Sequence, residues 1–143
     1  MKRIFTLSVV ALTVSLFFSA CSKNNYYSGN DESYWLSKER GEVVYSDTYC
    51  SYFVVETNYG YNVVRAYGNY KPFEGDIVYG NFSSRGSRDL YNYTTGVVFS
   101  GTITDYWLSY REAQDALDYY CPLGKGTTGT REFKKTNIVI QKK

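Results

Sequence analysis

The chain has 143 residues, with 16 Lys and Arg against 14 Asp and Glu and no histidine. That length suits one sizeable domain and is short for two, and the near balance of charge names no polyanionic partner, so nucleic acid is not expected as a ligand. The missing histidine removes the commonest general base, the Ser-His-Asp and Cys-His arrangements and most zinc sites, so no metal, cofactor or catalytic residue is expected.

Lys2 and Arg3 precede a run from Ile4 to Ala20 that carries no charge. A basic start followed by an apolar run is the layout of an export signal. As a membrane span the run is short for ~30 Å of hydrocarbon, and no basic stop-transfer cluster follows it. Residues 1–20 are therefore expected to be a signal peptide. The run closes on Leu16-Phe17-Phe18-Ser19-Ala20-Cys21, which resembles the lipobox of bacterial lipoproteins, and the chain is similar in style to lipoproteins of the Bacteroidota. Small residues at Ser19 and Ala20 match that pattern, while Phe18 stands where an aliphatic residue is commoner.

The resemblance implies cleavage before Cys21, a diacylglycerol on its sulfur, acylation of its new amino group and a membrane anchor in the cell envelope. Several acyl chains are needed because each buried CH₂ contributes about 0.8 kcal/mol, and one chain alone binds reversibly. Ser22 in place of an aspartate implies the outer rather than the inner membrane. Lys23-Asn24-Asn25 in place of an acidic run implies a periplasm-facing anchor rather than surface display. With Cys21 acylated, Cys50 and Cys121 remain of the three cysteines. Outside the cytoplasm they can stay as two buried thiols or pair, and a bridge would close a loop of about 70 residues and stabilise by ~4 kcal/mol.

Residues 21–40 are mostly polar with no sustained period and read as a tether, with Tyr34, Trp35 and Leu36 available to dock on a β-rich globular domain over 41–143. Strands are predicted at 42–46, 49–56, 61–67, 76–82, 90–93 and 97–104, with a last one at 133–141. Thr57-Asn58-Tyr59-Gly60 is the predicted hairpin turn, because Asn and Gly tolerate positive φ. Residues 83–89 are a predicted loop. In the 97–104 strand Val97, Phe99 and Ile103 share one face and Ser100, Thr102 and Thr104 the other, with Gly101 marking a bulge or bend. Ser109-Tyr110-Arg111-Glu112 is a capping box, and Ala113, Ala116, Leu117 and Tyr120 form one apolar stripe behind it. A helix over 110–120 follows, stopped by Pro122 and Gly124.

Five or six antiparallel strands with one helix in the C-terminal half make a mainly β chain, best satisfied by a small antiparallel barrel. The segment Phe73–Phe82 resembles the middle strand of OB-like barrels, in which a Gly-Asp turn opens the strand and a glycine lets it coil. The alternative is an open antiparallel sheet packed on the helix.

Glu74 and Asp76 are the one carboxylate pair with glycosidase character, set against their ordinary role as turn formers around Gly75. Gly124–Gly129 lacks the spacing and context of a phosphate-binding loop. Lys125, Arg131, Lys134, Lys135, Lys142 and Lys143 read as a solvated face or an edge guard, with acidic lipid headgroups as the alternative contact. The 17 tyrosines are the most unusual feature. Most suit half-buried strand positions, but Tyr59, Tyr61, Tyr91 and Tyr93 adjoin turns and are candidates for a contact surface, with Arg85 and Arg88 as polar partners. The expected function is a non-catalytic envelope lipoprotein that binds or assembles with a protein complex. The alternatives are a carbohydrate or glycolipid binder, and a hydrolase using Glu74 and Asp76.

Overall fold

A computed structural model describes residues 32–122 and 131–134. The expected signal peptide, Cys21, the first part of the tether, the loop after Pro122 and residues 135–143 fall outside the described residues. Folded structure begins ahead of the expected domain start. Helix α1 (Glu32–Leu36) leads directly into β1 (Glu39–Ser46). In α1 Trp35 alone is buried, stacked on Tyr91 with ring centroids 5.8 Å apart, while Tyr34 and Leu36 are exposed.

The remaining elements are β2 (Tyr52–Thr57), β3 (Gly60–Ala66), β4 (Ile77–Gly80), β5 (Gly86–Asn92), β6 (Val97–Leu108) and α2 (Tyr110–Tyr120). The six strands close into an antiparallel barrel in the order β1-β2-β3-β6-β5-β4, so the open-sheet alternative does not form. Closure removes both free edges, which a sheet this small would otherwise expose to pairing.

Apolar residues run on consecutively in β1 to β3, instead of alternating with polar ones, because these strands are covered on both sides. Val43, Phe53, Val55, Val64, Leu90 and Ile103 belong to the cluster that fills the barrel. Their sequence neighbours Val44, Val54 and Val63 point the other way and pack with Ala113, Leu117 and Phe133 beneath α2. Helix and barrel thus share β1–β3 as a two-sided wall, and each fully buried Val or Leu in it contributes about 1.5–3 kcal/mol of transfer free energy. At Gly80 an added Cβ would press on Leu90 Cδ2, so the buried leucine would have to shift.

Several boundaries differ from the sequence reading for local reasons. β2 begins at Tyr52 because Asp47 forms a turn, its carbonyl bonding Cys50 N at 3.2 Å and its side chain accepting from Tyr49 N at 3.0 Å. The Lys71 ammonium closes that turn by donating to the carbonyls of Asp47 and Cys50. β4 begins after Asp76, which is buried and accepts from Phe73 N at 2.9 Å and Asn92 Nδ2 at 2.6 Å. The predicted loop 83–89 turns into strand at Gly86, because Ser87 and Asp89 find cross-strand hydroxyls on Thr102 and Ser100, at 2.8 and 2.7 Å. β6 runs on to Leu108 through a bulge described below.

Helix α2 spans the predicted residues, with both halves of the capping box made by Ser109 and Glu112. Phe133 and Lys134 lie outside any strand, with Phe133 buried and Lys134 N bonding Val44 O at 2.9 Å. The rest of the expected 133–141 strand falls outside the described residues. Cys50 and Cys121 form a disulfide with Cα atoms 5.9 Å apart, tying the end of α2 to the turn before β2.

Candidate binding surface at one rim of the barrel

In an all-antiparallel barrel the starts of β1, β3 and β5 and the ends of β2, β4 and β6 share one rim, and the pairs Glu39 with Gly80, Thr57 with Gly60 and Tyr61 with Leu108 trace it. Barrel mouths are recurrent ligand sites because loops there are free to vary while the strands stay rigid. Two features occupy this rim, on either side of the β4–β5 loop.

The first is an aromatic ledge. Tyr61 lies opposite Leu108 and Val63 opposite Asp105, so β6 uses one more residue than β3 between those pairs. The bulge sets Trp107 at φ 58°, the only non-glycine residue at positive φ among the described residues. A bulky residue in that conformation costs on the order of 1–2 kcal/mol and persists only where its surroundings impose it. Asn62 imposes it. This fully buried side chain accepts from Trp107 N at 3.3 Å and donates to Val55 O and Gly60 O at 3.2 and 3.3 Å. One amide therefore locks the β2–β3 hairpin and the bulge together. In the hairpin the positive φ falls on Gly60, at 127°, not on Asn58.

The indole so presented is 52% exposed, and Tyr59, 64% exposed, lies against it with ring centroids 5.8 Å apart. Arg85 completes the ledge, its Nη2 2.8 Å from Asp105 Oδ1. Asp105 Oδ2 accepts from Tyr120 OH at 2.9 Å, so the guanidinium is anchored through Asp105 to helix α2. Arg85, Asp105, Trp107 and Leu108 line a shallow depression of about 430 Å³.

The second feature is a larger open cleft of about 650 Å³ between α1, the start of β1 and the β4–β5 loop. Lys38, Glu39, Arg88 and Asp89 line it with Tyr34 and Trp35. Glu39 Oε2 accepts from Phe82 N and Ser83 Oγ at 3.0 and 2.9 Å. Arg88 is held by the loop it braces, donating to Asn81 O at 2.9 Å and Arg85 O at 2.8 Å.

The candidate tyrosines do not form one surface. Tyr59 stands on the ledge. Tyr61 packs instead between Tyr110 and Phe133 at the edge of the α2 cluster, and loss of solvent first, then the Glu56 carboxylate, pushes its hydroxyl up to about 12. Tyr91 is buried under Trp35, and burial first, then the Glu32 carboxylate, raises its pKa. Tyr93 is exposed and makes T-shaped contacts with Tyr79 and Tyr91. Arg85 belongs to the ledge and Arg88 to the cleft. Glu74 and Asp76 are engaged in loop structure, Glu74 Oε1 accepting from Ser46 N at 3.2 Å and Asp76 bonded as above, and neither lines the ledge depression or the cleft.

Sequence reasoning passed over Trp107 because its importance lies in a bulge that no local pattern specifies. A signal was present all the same, since one of only two tryptophans in the chain falls just past the end of the predicted 97–104 strand. Among the described residues no group of His, Cys, Asp and Glu is placed to hold a metal, and no helix is long and apolar enough to cross a membrane. Comparison with protein-family models, with curated proteins and with solved structures finds no match to this chain.

Proposed function

We propose that this chain is a non-catalytic, lipid-anchored module of the cell envelope that docks on a partner protein through the Tyr59–Trp107 ledge. One observation carries the reading: a half-exposed indole is held in a strained backbone conformation by a fully buried asparagine. Strain concentrated at a surface aromatic points to use of that aromatic. Tryptophan, tyrosine and arginine are also the residues that dominate protein interfaces, and the ledge is built from these three types. The Arg85–Asp105 pair supplies polar contacts at the ledge's border. The anchoring part rests on the Lys2–Arg3 start, the apolar run and Cys21. The non-catalytic part is supported by the absence of histidine and by the structural engagement of Glu74 and Asp76.

The test places a photoreactive residue at exposed Asn58, beside the ledge, in the full-length chain in intact cells. The expected product is a single protein attached in stoichiometric amount, lost in Trp107→Ala while circular dichroism is unchanged. Equal yields with and without the indole, or no enriched protein, would refute the reading. Intact mass of the purified protein reads the anchor separately, and the mass of an unmodified precursor would remove it.

A further inference from the structure

We infer that the rim opposite the ledge rests on the lipid surface in which the chain is anchored, with Tyr49, Phe73 and Tyr119 entering the headgroup layer. The ends of β1, β3 and β5 and the starts of β2, β4 and β6 form this rim, so its loops are 47–51, 67–76 and 93–96. The end of α2 belongs to it too, because the Cys50–Cys121 bridge ties that end to loop 47–51. Among the described residues the three most exposed large apolar side chains are Tyr49 at 98%, Tyr119 at 80% and Phe73 at 74%, and all three stand at this end of the barrel. Single exposed aromatics are ordinary, but three gathered at one end of a small domain mark a contact surface.

Braced loops present two of the rings. Tyr49 and Phe73 line one groove of about 380 Å³. Tyr49 N donates to Asp47 Oδ1 at 3.0 Å, and Lys71 closes the same turn. Phe73 belongs to a turn in which Asp76 N donates to Phe73 O at 3.1 Å and Ser46 Oγ to Pro72 O at 2.6 Å. Loops already ordered in this way lose little further freedom on contact. Aromatic rings at headgroup level are usual on membrane-facing surfaces, since tyrosine joins an apolar body to a polar tip. Charge does not drive the contact. Lys71 and Glu74 are bonded to backbone groups, and Lys134, beside Gly75, and Lys71 are matched by Glu74 and Asp47.

Where the chain enters decides the occupant, a step that rests on the anchor at Cys21 proposed above. From the start of β1 on the ledge rim, α1 is folded back along the outer wall. Trp35 stacks on Tyr91 there, and the Glu32 carboxylate is close enough to act on the Tyr91 hydroxyl. Tyr91 is the last residue but one of β5, which ends on the aromatic rim. Ten residues, 22–31, separate Cys21 from Glu32, and fully extended they reach about 35 Å. An acylated Cys21 thus holds the bilayer within that reach of a point beside the aromatic rim. The ledge, at the other end of the barrel, is left free for its protein partner.

The full-length chain is reconstituted into phosphatidylcholine vesicles that contain brominated phosphatidylcholine, a quencher of indoles that enter the bilayer. The chain has two tryptophans, so Phe73→Trp in a Trp107→Phe background adds one rim indole to buried Trp35, and Trp107→Phe alone gives the background. The native chain, less that background, reads the ledge. Circular dichroism checks each variant, and Tyr49→Trp in the same background replaces Phe73→Trp should that chain fail to fold. The expected result is at least about a twofold loss of emission from the rim indole, with Trp107 unquenched, and no change on adding phosphatidylglycerol or raising salt.

No quenching at the rim, or equal quenching at the ledge, would overturn the inference. Quenching that needs phosphatidylglycerol and disappears in salt would overturn it too, by assigning the contact to basic residues. In intact cells a photoreactive residue in place of Phe73 is expected to label lipid, and a protein adduct there instead would refute the lipid surface as occupant. An unprocessed chain stays in the vesicles through its apolar 4–20 run, so the rim is read whether or not Cys21 is acylated. Intact mass reads the anchor and crosslinking from Asn58 reads the ledge, so failure here and failure of the proposed function are separable.

Discussion

Trp107 tests whether the barrel imposes a conformation that the indole resists. Trp107→Gly and Trp107→Ala both delete the ring and its contact with Tyr59, and they differ by one methyl group. At φ 58° a residue with a Cβ carries a penalty of roughly 1–2 kcal/mol that glycine escapes. Glycine in turn loses roughly 0.5–1 kcal/mol more backbone freedom on folding. With mid-range values the difference leaves the glycine variant more stable by about 0.75 kcal/mol. At Ser100, an ordinary exposed position of the same strand, the order reverses and alanine is the more stable by about 0.5–1 kcal/mol. Urea unfolding of the four variants reads this directly. With a slope of about 1.5 kcal/mol/M, the midpoints at position 107 separate by roughly 0.5 M in favour of glycine. An alanine variant at 107 equal to or more stable than the glycine variant would show that the bulge relaxes once the indole is gone. Trp107 would then choose the conformation itself, and the strain argument for the ledge would fail.

Removing the Asn62 amide with Asn62→Ala takes a buried partner from Trp107 N and Val55 O, while Gly60 O keeps the Thr57 hydroxyl, and is expected to destabilise by about 2 kcal/mol in the same assay. The double replacement Cys50→Ala with Cys121→Ala opens a loop spanning a sequence separation of 71 and is expected to cost about 4 kcal/mol, read as a lower unfolding midpoint that reductant no longer changes. Tyr61 gives an alkaline signature. Its folded pKa of about 12 stands above the ordinary tyrosine value of 10.0, so between those values the unfolded chain has lost the proton and the folded chain retains it. Its contribution is fully present below pH 10 and falls away as pH rises toward 12, and in Tyr61→Phe the decline of stability over that window is shallower. Ser109→Ala removes one half of the capping box and should cost about 1 kcal/mol, with α2 amides exchanging faster near Glu112.

The sequence by itself determined what short-range chemistry decides. The 110–120 helix was legible because Ser109, Glu112 and the Ala113-Ala116-Leu117-Tyr120 stripe act within three turns, and the same residues cap and bury it. The hairpin at Gly60 and the mainly β barrel with one helix were legible from period and turn residues, since strand alternation and positive φ are local properties. The faces of β6 were correct at Phe99 and Ile103 for the same reason, while Val97 at the strand's start is exposed.

Only the tertiary structure decided which aromatics face solvent. Tyr59 and Tyr61 are two residues apart and alike in sequence, yet one stands on the ledge and the other is covered by Tyr110 and Phe133, which arrive from far along the chain. Tyr34, Trp35 and Leu36 were alike available to dock, and Trp35 alone became the buried cap over Tyr91, because a partner for its ring exists only once β5 is in place. The conformation of Trp107 depends on a one-residue excess in β6 relative to β3 and on Asn62, 45 residues away. Such positions are set by register and burial between distant strands, which closure of the barrel fixes all at once and which no window of local sequence contains.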